Sequence, residues 1–161
     1  ARVIHADLTL TNASSWQWWT ALSNADFKDG LIYLDTDDSS DLFNLEKLKN
    51  DGAFRQSKLL WAFGNYSRFI RPGMRRINIA VGNSKSRIKN IMLSAYINEA
   101  TSKIVVVAIN YGHNSKNLDT SNYDIDSMYV TSENKNLEKT KTNKKTITLE
   151  ARSISTLVGS F

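Results

Sequence analysis

Three tryptophans fall at positions 16, 18 and 19 within one ten-residue stretch, Ala13 to Leu22. In an extended chain successive side chains point to opposite faces, so Trp16 and Trp18 share one face while Gln17 and Trp19 share the other. Flat indole faces suit sugar rings, because axial C–H groups stack on an aromatic π-system while the hydroxyls find polar partners. Trp16, Gln17 and Trp18 are therefore the candidate binding residues. The competing role for such rings is to pack between a strand and a helix, since cores also bury large side chains.

The other residues that could do chemistry read as structural. Asp35, Asp37, Ser39, Asp41 and Glu46 occupy positions 1, 3, 5, 7 and 12 of a calcium-loop spacing. Ser40 stands where that loop needs glycine, and no pair of helices brackets it, so a solvated acidic loop is the reading. His5 and His113 are far apart with no ligand spacing around them. The chain has no cysteine, which excludes zinc thiolate sites. No metal and no cofactor is expected.

Charge and hydropathy narrow the partners. The net charge is +5, but lysine and arginine are scattered, and the densest basic stretch, Lys139 to Lys145, reads as a solvated hairpin turn. A basic face with interleaved aromatics is missing, so no nucleic acid partner is expected. No run approaches the ~18 apolar residues of a membrane span, so no membrane partner is expected. The chain begins Ala1-Arg2-Val3 without methionine or signal peptide, which suggests a mature or truncated product.

Two patterns of periodicity meet near Pro72. Val3, Ile4, Asp7 and Leu8 read as the tail of a helix that runs out at Thr11-Asn12. Ala13 to Leu22, short and aromatic-rich, reads as a strand. Leu59, Phe63, Tyr66 and Ile70 form an amphipathic helical stripe, in a helix opening near Asp51 or Gly52 and closing at Arg71-Pro72-Gly73. Helix, strand, loop and helix is the tail of an alternating α/β pattern. After Pro72 everything reads as strands: Ile77 to Val81, Ile91 to Ile97, Ile104 to Ile109, Tyr123 to Val130, Thr146 to Leu149 and Ile154 to Val158. Ile104 to Ile109 is apolar on both faces and should be a central strand. Glu99 to Ser102 makes a hairpin turn before it. Short strands at roughly 8–12-residue spacing indicate a β-sandwich. The fold class is mainly β.

Three stretches together resemble glycoside hydrolase family 30. Asn12-Ala13-Ser14-Ser15-Trp16-Gln17-Trp18-Trp19, followed by Lys28-Asp29-Gly30-Leu31-Ile32-Tyr33, is similar to that family's eighth barrel strand and its loop, above all in members cutting β-1,6-linked galactan. Leu60-Trp61-Ala62-Phe63-Gly64-Asn65-Tyr66-Ser67-Arg68-Phe69-Ile70-Arg71-Pro72-Gly73 resembles the last barrel helix and its exit into the side domain. Ser94-Ala95-Tyr96, Val105 to Asn110, Thr131 to Leu137 and Leu149 to Gly159 resemble strands of the side β-sandwich. The resemblance implies that residues 1–72 are the C-terminal end of a (β/α)8 barrel and 73–161 a β-sandwich, in a secreted or periplasmic enzyme acting on polysaccharide. It also places Trp16 in the subsite of the cleaved sugar, with Gln17 and Trp18 close by.

Family members are retaining glycosidases with two glutamates, whose carboxyl groups stand about 5–5.5 Å apart across the scissile bond. The resemblance puts both outside this sequence. Glu46, Glu99, Glu133, Glu138 and Glu150 sit in predicted loops, turns or sandwich segments and match no catalytic position. The chain alone should be inactive, with the remainder of the barrel as its partner. A barrel strand without neighbours exposes backbone groups and apolar side chains, so the first ~70 residues should associate with another chain or collapse on the sandwich. The alternatives are a carbohydrate-binding sandwich acting alone, which needs an exposed aromatic platform on residues 74–161, and a purely structural module.

Overall fold

The computed structural model describes residues 1–25, 27–35, 52–79 and 90–161. Asp37, Ser39, Asp41 and Glu46 of the calcium-like spacing, and Val81 of the first expected strand after Pro72, lie outside the described residues. The chain is mainly β. Helix α1 (Arg2–Thr9) leads into three short strands, β1 (Leu22–Ser23), β2 (Ile32–Asp35) and β3 (Ala53–Gln56), and then helix α2 (Lys58–Ser67). Strands β4 (Arg75–Ile77), β5 (Ile91–Asn98), β6 (Lys103–Asn110), β7 (Lys116–Asp119), β8 (Asp124–Thr131), β9 (Glu138–Lys141), β10 (Thr146–Leu149) and β11 (Ser153–Ser160) follow.

A six-stranded antiparallel sheet in the order β4-β5-β6-β11-β8-β9 organises the molecule. Strand β6 lies next to its centre, and Ile104 to Asn110 are all buried, as a strand apolar on both faces requires. Its side chains alternate between two cores. Val105, Val107 and Ile109 face a cluster with Ile4 of α1 and Tyr66 of α2. Ile104 and Val106 face the other side with Ala95, Leu157 and Ile147, the last carried by the two-stranded sheet β10-β7. One face is thus covered by helices and the other by a short ribbon. The β5–β6 turn closes through Asn98, whose Oδ1 accepts from the Thr101 N–H, and through Ser102 at φ 50°.

Three expectations are corrected. Residues 13–21 form no ladder, and the strand starts only at Leu22, paired in parallel with β2. A strand exists by virtue of its neighbour, and among the described residues none runs beside 13–19. Helix α2 starts at Ser57, not near Asp51, because Ser57 is a true N-cap: its Oγ accepts from the Leu60 N–H at 3.3 Å. The residues before it are taken up by β3, paired antiparallel with β2. In the basic stretch, Glu138–Lys141 is the edge strand β9 on β8, so only the remainder turns. Lysines on an edge discourage further strand addition.

Helix α2 is bolted to the sheet by one wholly buried asparagine. Asn65 Nδ2 donates to the Trp61 carbonyl at 2.9 Å and to Thr131 Oγ1 at 2.8 Å, while Thr156 Oγ1 donates to Asn65 Oδ1 at 2.9 Å. Thr131 lies on β8 and Thr156 on β11, so a single side chain ties the helix to two strands.

Candidate functional site

The tryptophan segment crosses from α1 to β1 with its indoles anchored by oxygen atoms outside it. Trp16 Nε1–H donates to Asp7 Oδ2 at 2.8 Å, and Trp18 Nε1–H donates to the Asp29 carbonyl at 2.6 Å. The Asp7 carbonyl also accepts from the Ala13 N–H at 3.0 Å, so Asp7 fixes both the entry of the segment and its first ring. Trp16 and Trp18 stack with ring centroids 5.8 Å apart and planes inclined by 17°. Sharing one face is what alternation of an extended chain demands. Phe63 of α2 meets Trp16 at 5.7 Å, tilted by 45°. Trp16 is half-buried between these rings, while Gln17 is exposed.

The most open indole is Trp19, 84% exposed against 39% for Trp18. It lies outside the set Trp16, Gln17 and Trp18 that the sequence singled out. The loop beneath Trp18 depends on Gly30, whose N–H donates to Tyr33 Oη at 3.1 Å. A Cβ at position 30 would stand 2.9 Å from Ser23 Cβ and 3.0 Å from the Tyr33 ring, so only glycine permits the approach.

Trp16 also lines a cavity of about 680 Å³ between α1, α2 and the β4–β5 edge of the sheet. Arg71 and Arg76 line it with Phe63, Tyr66 and Tyr96. Arg71 Nη1–H donates to the Ser67 carbonyl at 3.0 Å, and Arg76 Nη2–H donates to Asn12 Oδ1 at 2.6 Å. Behind the cavity the hydroxyls of Tyr66, Ser94 and Tyr96 are buried, with no protein partner at hydrogen-bonding geometry among the described residues. Ser94 nonetheless lies close enough to both phenols to favour their ionisation slightly. Burial outweighs it and pushes both phenols above the ordinary tyrosine range, with Tyr96 adding to the effect on Tyr66. Burial, and then the Arg76 charge, pushes His5 below the usual histidine value.

Sequence reasoning missed Asp7, Asp29 and Phe63, the groups that set the pose of the indoles. No periodicity marks Asp7 or Asp29 as partners of the indoles, and the helical stripe that marks Phe63 as apolar does not say which ring it meets. The tyrosines of the sheet are largely committed to packing: Tyr96 is buried, and Tyr129 packs on Phe69 at 4.5 Å beneath Arg68 and Lys139. Among the described residues no group of His, Cys, Asp and Glu is arranged to hold a metal ion.

Large exposed apolar side chains gather before residue 60: Val3, Leu10, Trp18, Trp19, Leu22, Phe27, Phe54 and Leu59, with only Phe161 beyond it among the described residues. Strands β1 and β3 each have one partner, so the small sheet has two unpaired edges among those residues.

Comparison with known proteins bears on the same segment. Residues 1–33 match the family model described as O-Glycosyl hydrolase family 30. A conserved exported protein from Bacteroides fragilis is 37% identical, with a TM-score of 0.82 over 98% of this chain and 32% of its own. A family 30 subfamily 8 xylanase from Clostridium acetobutylicum is 25% identical, with a TM-score of 0.70 over 99% of this chain and 37% of its own. The catalytic domain of a family 30 xylanase C from Talaromyces cellulolyticus is 25% identical, with a TM-score of 0.73 over 99% of this chain and 34% of its own. The chain spans about a third of the length of these proteins. Family 30 is what it is similar to: by sequence over the tryptophan segment, by fold over nearly its whole length.

Proposed function

We propose that this chain is the C-terminal part of a secreted, retaining glycoside hydrolase that cuts β-linked polysaccharide, with both catalytic glutamates elsewhere in the enzyme. The observation that carries the reading is the family 30 match over residues 1–33, which spans all three clustered tryptophans. The gathering of exposed apolar side chains before residue 60 supports a partner surface there, and the remainder of the barrel is the occupant. The exported relative from Bacteroides fragilis supports secretion. In this reading Trp16, Trp18 and Gln17 contribute to the sugar cleft, residues 1–72 complete the barrel, and residues 73–161 brace it.

The substrate we put first is β-1,6-galactan, as in arabinogalactan side chains, on the resemblance of Asn12 to Trp19 and of Lys28 to Tyr33 to galactan-cutting members. Xylan is the second, favoured by the two similar enzymes that are xylanases. The test is reconstitution: the chain is co-expressed with the upstream barrel, and reducing ends are measured on galactan and xylan. Each half alone should be silent and the pair active. Trp16→Ala in the pair should lower turnover without dissociating it. Activity of the isolated chain, or a reconstituted pair inert on both polymers, refutes the reading.

A further inference from the structure

Positive charge is unevenly divided along the chain. Residues 73–161 hold 13 lysines and arginines against 7 aspartates and glutamates, whereas residues 1–72 hold 8 against 9. Such asymmetry points to an anionic partner for the C-terminal half. Part of the excess gathers at the outer strand of the large sheet. Lys139 pairs with Tyr129 and Lys141 with Ser127, so both lysines rise from the face that carries the helices, while Glu138, opposite Val130, takes the other face. Lys139 and Arg68 hold their charges 5.7 and 5.6 Å from the centre of the Tyr129 ring, which orients both. Past the end of β9 the row meets a cleft of about 620 Å³, lined by Lys141, Lys144 and Lys145 and by Asp124 and Asp126. Both carboxylates are already engaged, Asp124 Oδ1 by Lys145 Nζ at 2.9 Å and Asp126 Oδ1 by Ser127 Oγ at 2.6 Å. Arg68, Lys139, Lys141 and Lys144 have no carboxylate partner among the described residues.

The chemistry of this strip selects among polyanions. Strand β9 has one neighbour, so its outer edge presents backbone N–H and C=O groups, and its lysines keep a further strand away. Alternating donors and acceptors suit a polyol, and the ammonium and guanidinium groups suit carboxylates. A nucleic acid asks for free aromatic faces on which bases stack, and the Tyr129 ring is taken by Phe69 and two cations. An anionic membrane asks for apolar side chains beside the charges, and among the described residues Phe161 is the one large apolar side chain exposed beyond residue 60. We propose that the β9 edge docks an acidic polysaccharide, its uronate carboxylates on Arg68, Lys139, Lys141 and Lys144 and its hydroxyls on the outer backbone of the strand. The choice of a polysaccharide rests on the glycosidase reading. The strip shares no residue with the tryptophan segment and holds polymer without cutting it.

The test uses the 161-residue chain and an end-labelled oligogalacturonate, followed by fluorescence anisotropy. The oligogalacturonate should bind, and binding should weaken as salt is raised. A neutral galacto-oligosaccharide should not compete, and a single-stranded oligonucleotide of equal charge should compete at least tenfold less well. Lys139→Gln with Lys141→Gln should weaken binding roughly fivefold, the scale of two exposed charge pairs. Lys103→Gln with Lys116→Gln removes the same charge from exposed positions elsewhere on the sandwich and should change binding less than twofold. Lys139→Arg with Lys141→Arg should retain it. Absent binding, equal competition by the oligonucleotide, or equal losses in the two glutamine pairs each overturns the proposal. The enzymatic reading is judged separately: a reconstituted enzyme that cuts neutral galactan, from a chain that ignores oligogalacturonate, keeps that reading and removes this one.

Discussion

Replacing Asn65 by alanine offers the sharpest test of how the helical layer is held to the sheet. The side chain is wholly buried and makes three hydrogen bonds, to the Trp61 carbonyl, to Thr131 Oγ1 and from Thr156 Oγ1. Removal does not strand its partners. Thr131 Oγ1 keeps the Leu137 N–H at 3.1 Å, and Thr156 Oγ1 keeps the Asn65 carbonyl at 2.8 Å. The loss is therefore the net value of the bonds, about 1 kcal/mol each and about 3 kcal/mol together. For a chain of this size, about 2–4 °C in Tm per kcal/mol makes the expected drop roughly 6–12 °C.

Thermal unfolding by circular dichroism measures the drop, and a double-mutant cycle assigns it. Thr156→Val removes the same donor from the other side, so the two substitutions should couple by about 1 kcal/mol. A drop within about 2 °C, or strict additivity in the cycle, would show that packing of Tyr66 and Phe69 holds α2 and that the asparagine does not.

Other substitutions probe other levels. Gly159→Ala places a Cβ 2.1 Å from the Asp124 carbonyl oxygen at the irregularity between β11 and β8, where backbone must move, so soluble yield and Tm should collapse. Trp19→Ala, at an open position, should change stability by no more than about 0.5 kcal/mol. Trp16→Ala should cost about 2 kcal/mol, near half the value for a fully buried aromatic, and urea unfolding separates the two. His5 has a folded pKa below its unfolded value, so the unfolded chain binds more protons and stability falls as pH drops below about 6.5. His5→Gln should flatten that part of the Tm–pH profile, and an unchanged slope would remove His5 as its cause.

How far the fold was legible follows from where each element gets its order. Strands β5, β6 and β11 carry their evidence locally, as apolar-rich stretches that contribute to both cores, while β8 and β10 show it as alternation of buried and exposed positions. Strands β7 and β9 carry little local signal because Lys116–Asp119 and Glu138–Lys141 are mostly exposed and polar, with Leu118 the single side chain of the two that packs on a core. The start of α2 was misplaced for a related reason. Ser57 is one serine among many in the sequence, and what makes it a cap is the geometry around its Oγ, which also donates to the Leu31 carbonyl.

The tryptophan segment shows the same division inside one site. That Trp16 and Trp18 share a face was legible from their i, i+2 spacing, whereas their stacking emerges only in the structure. The acceptors for their indole N–H groups were not, because Asp7 and Asp29 lie nine and eleven residues away and reach the rings only through the path of the chain. Rings so tethered are oriented before a ligand arrives, which lowers the ordering cost of binding. The same stack occupies one face of Trp16 and Phe63 meets the ring as well, so a sugar in the proposed contact would need its remaining surface or the displacement of Trp18. Beyond β4 both faces of the large sheet are covered, one by α1 and α2 and the other by the β10-β7 ribbon. Before β4, Trp19, Phe27 and Phe54 are exposed, and they are the side chains that the proposed remainder of the barrel would cover.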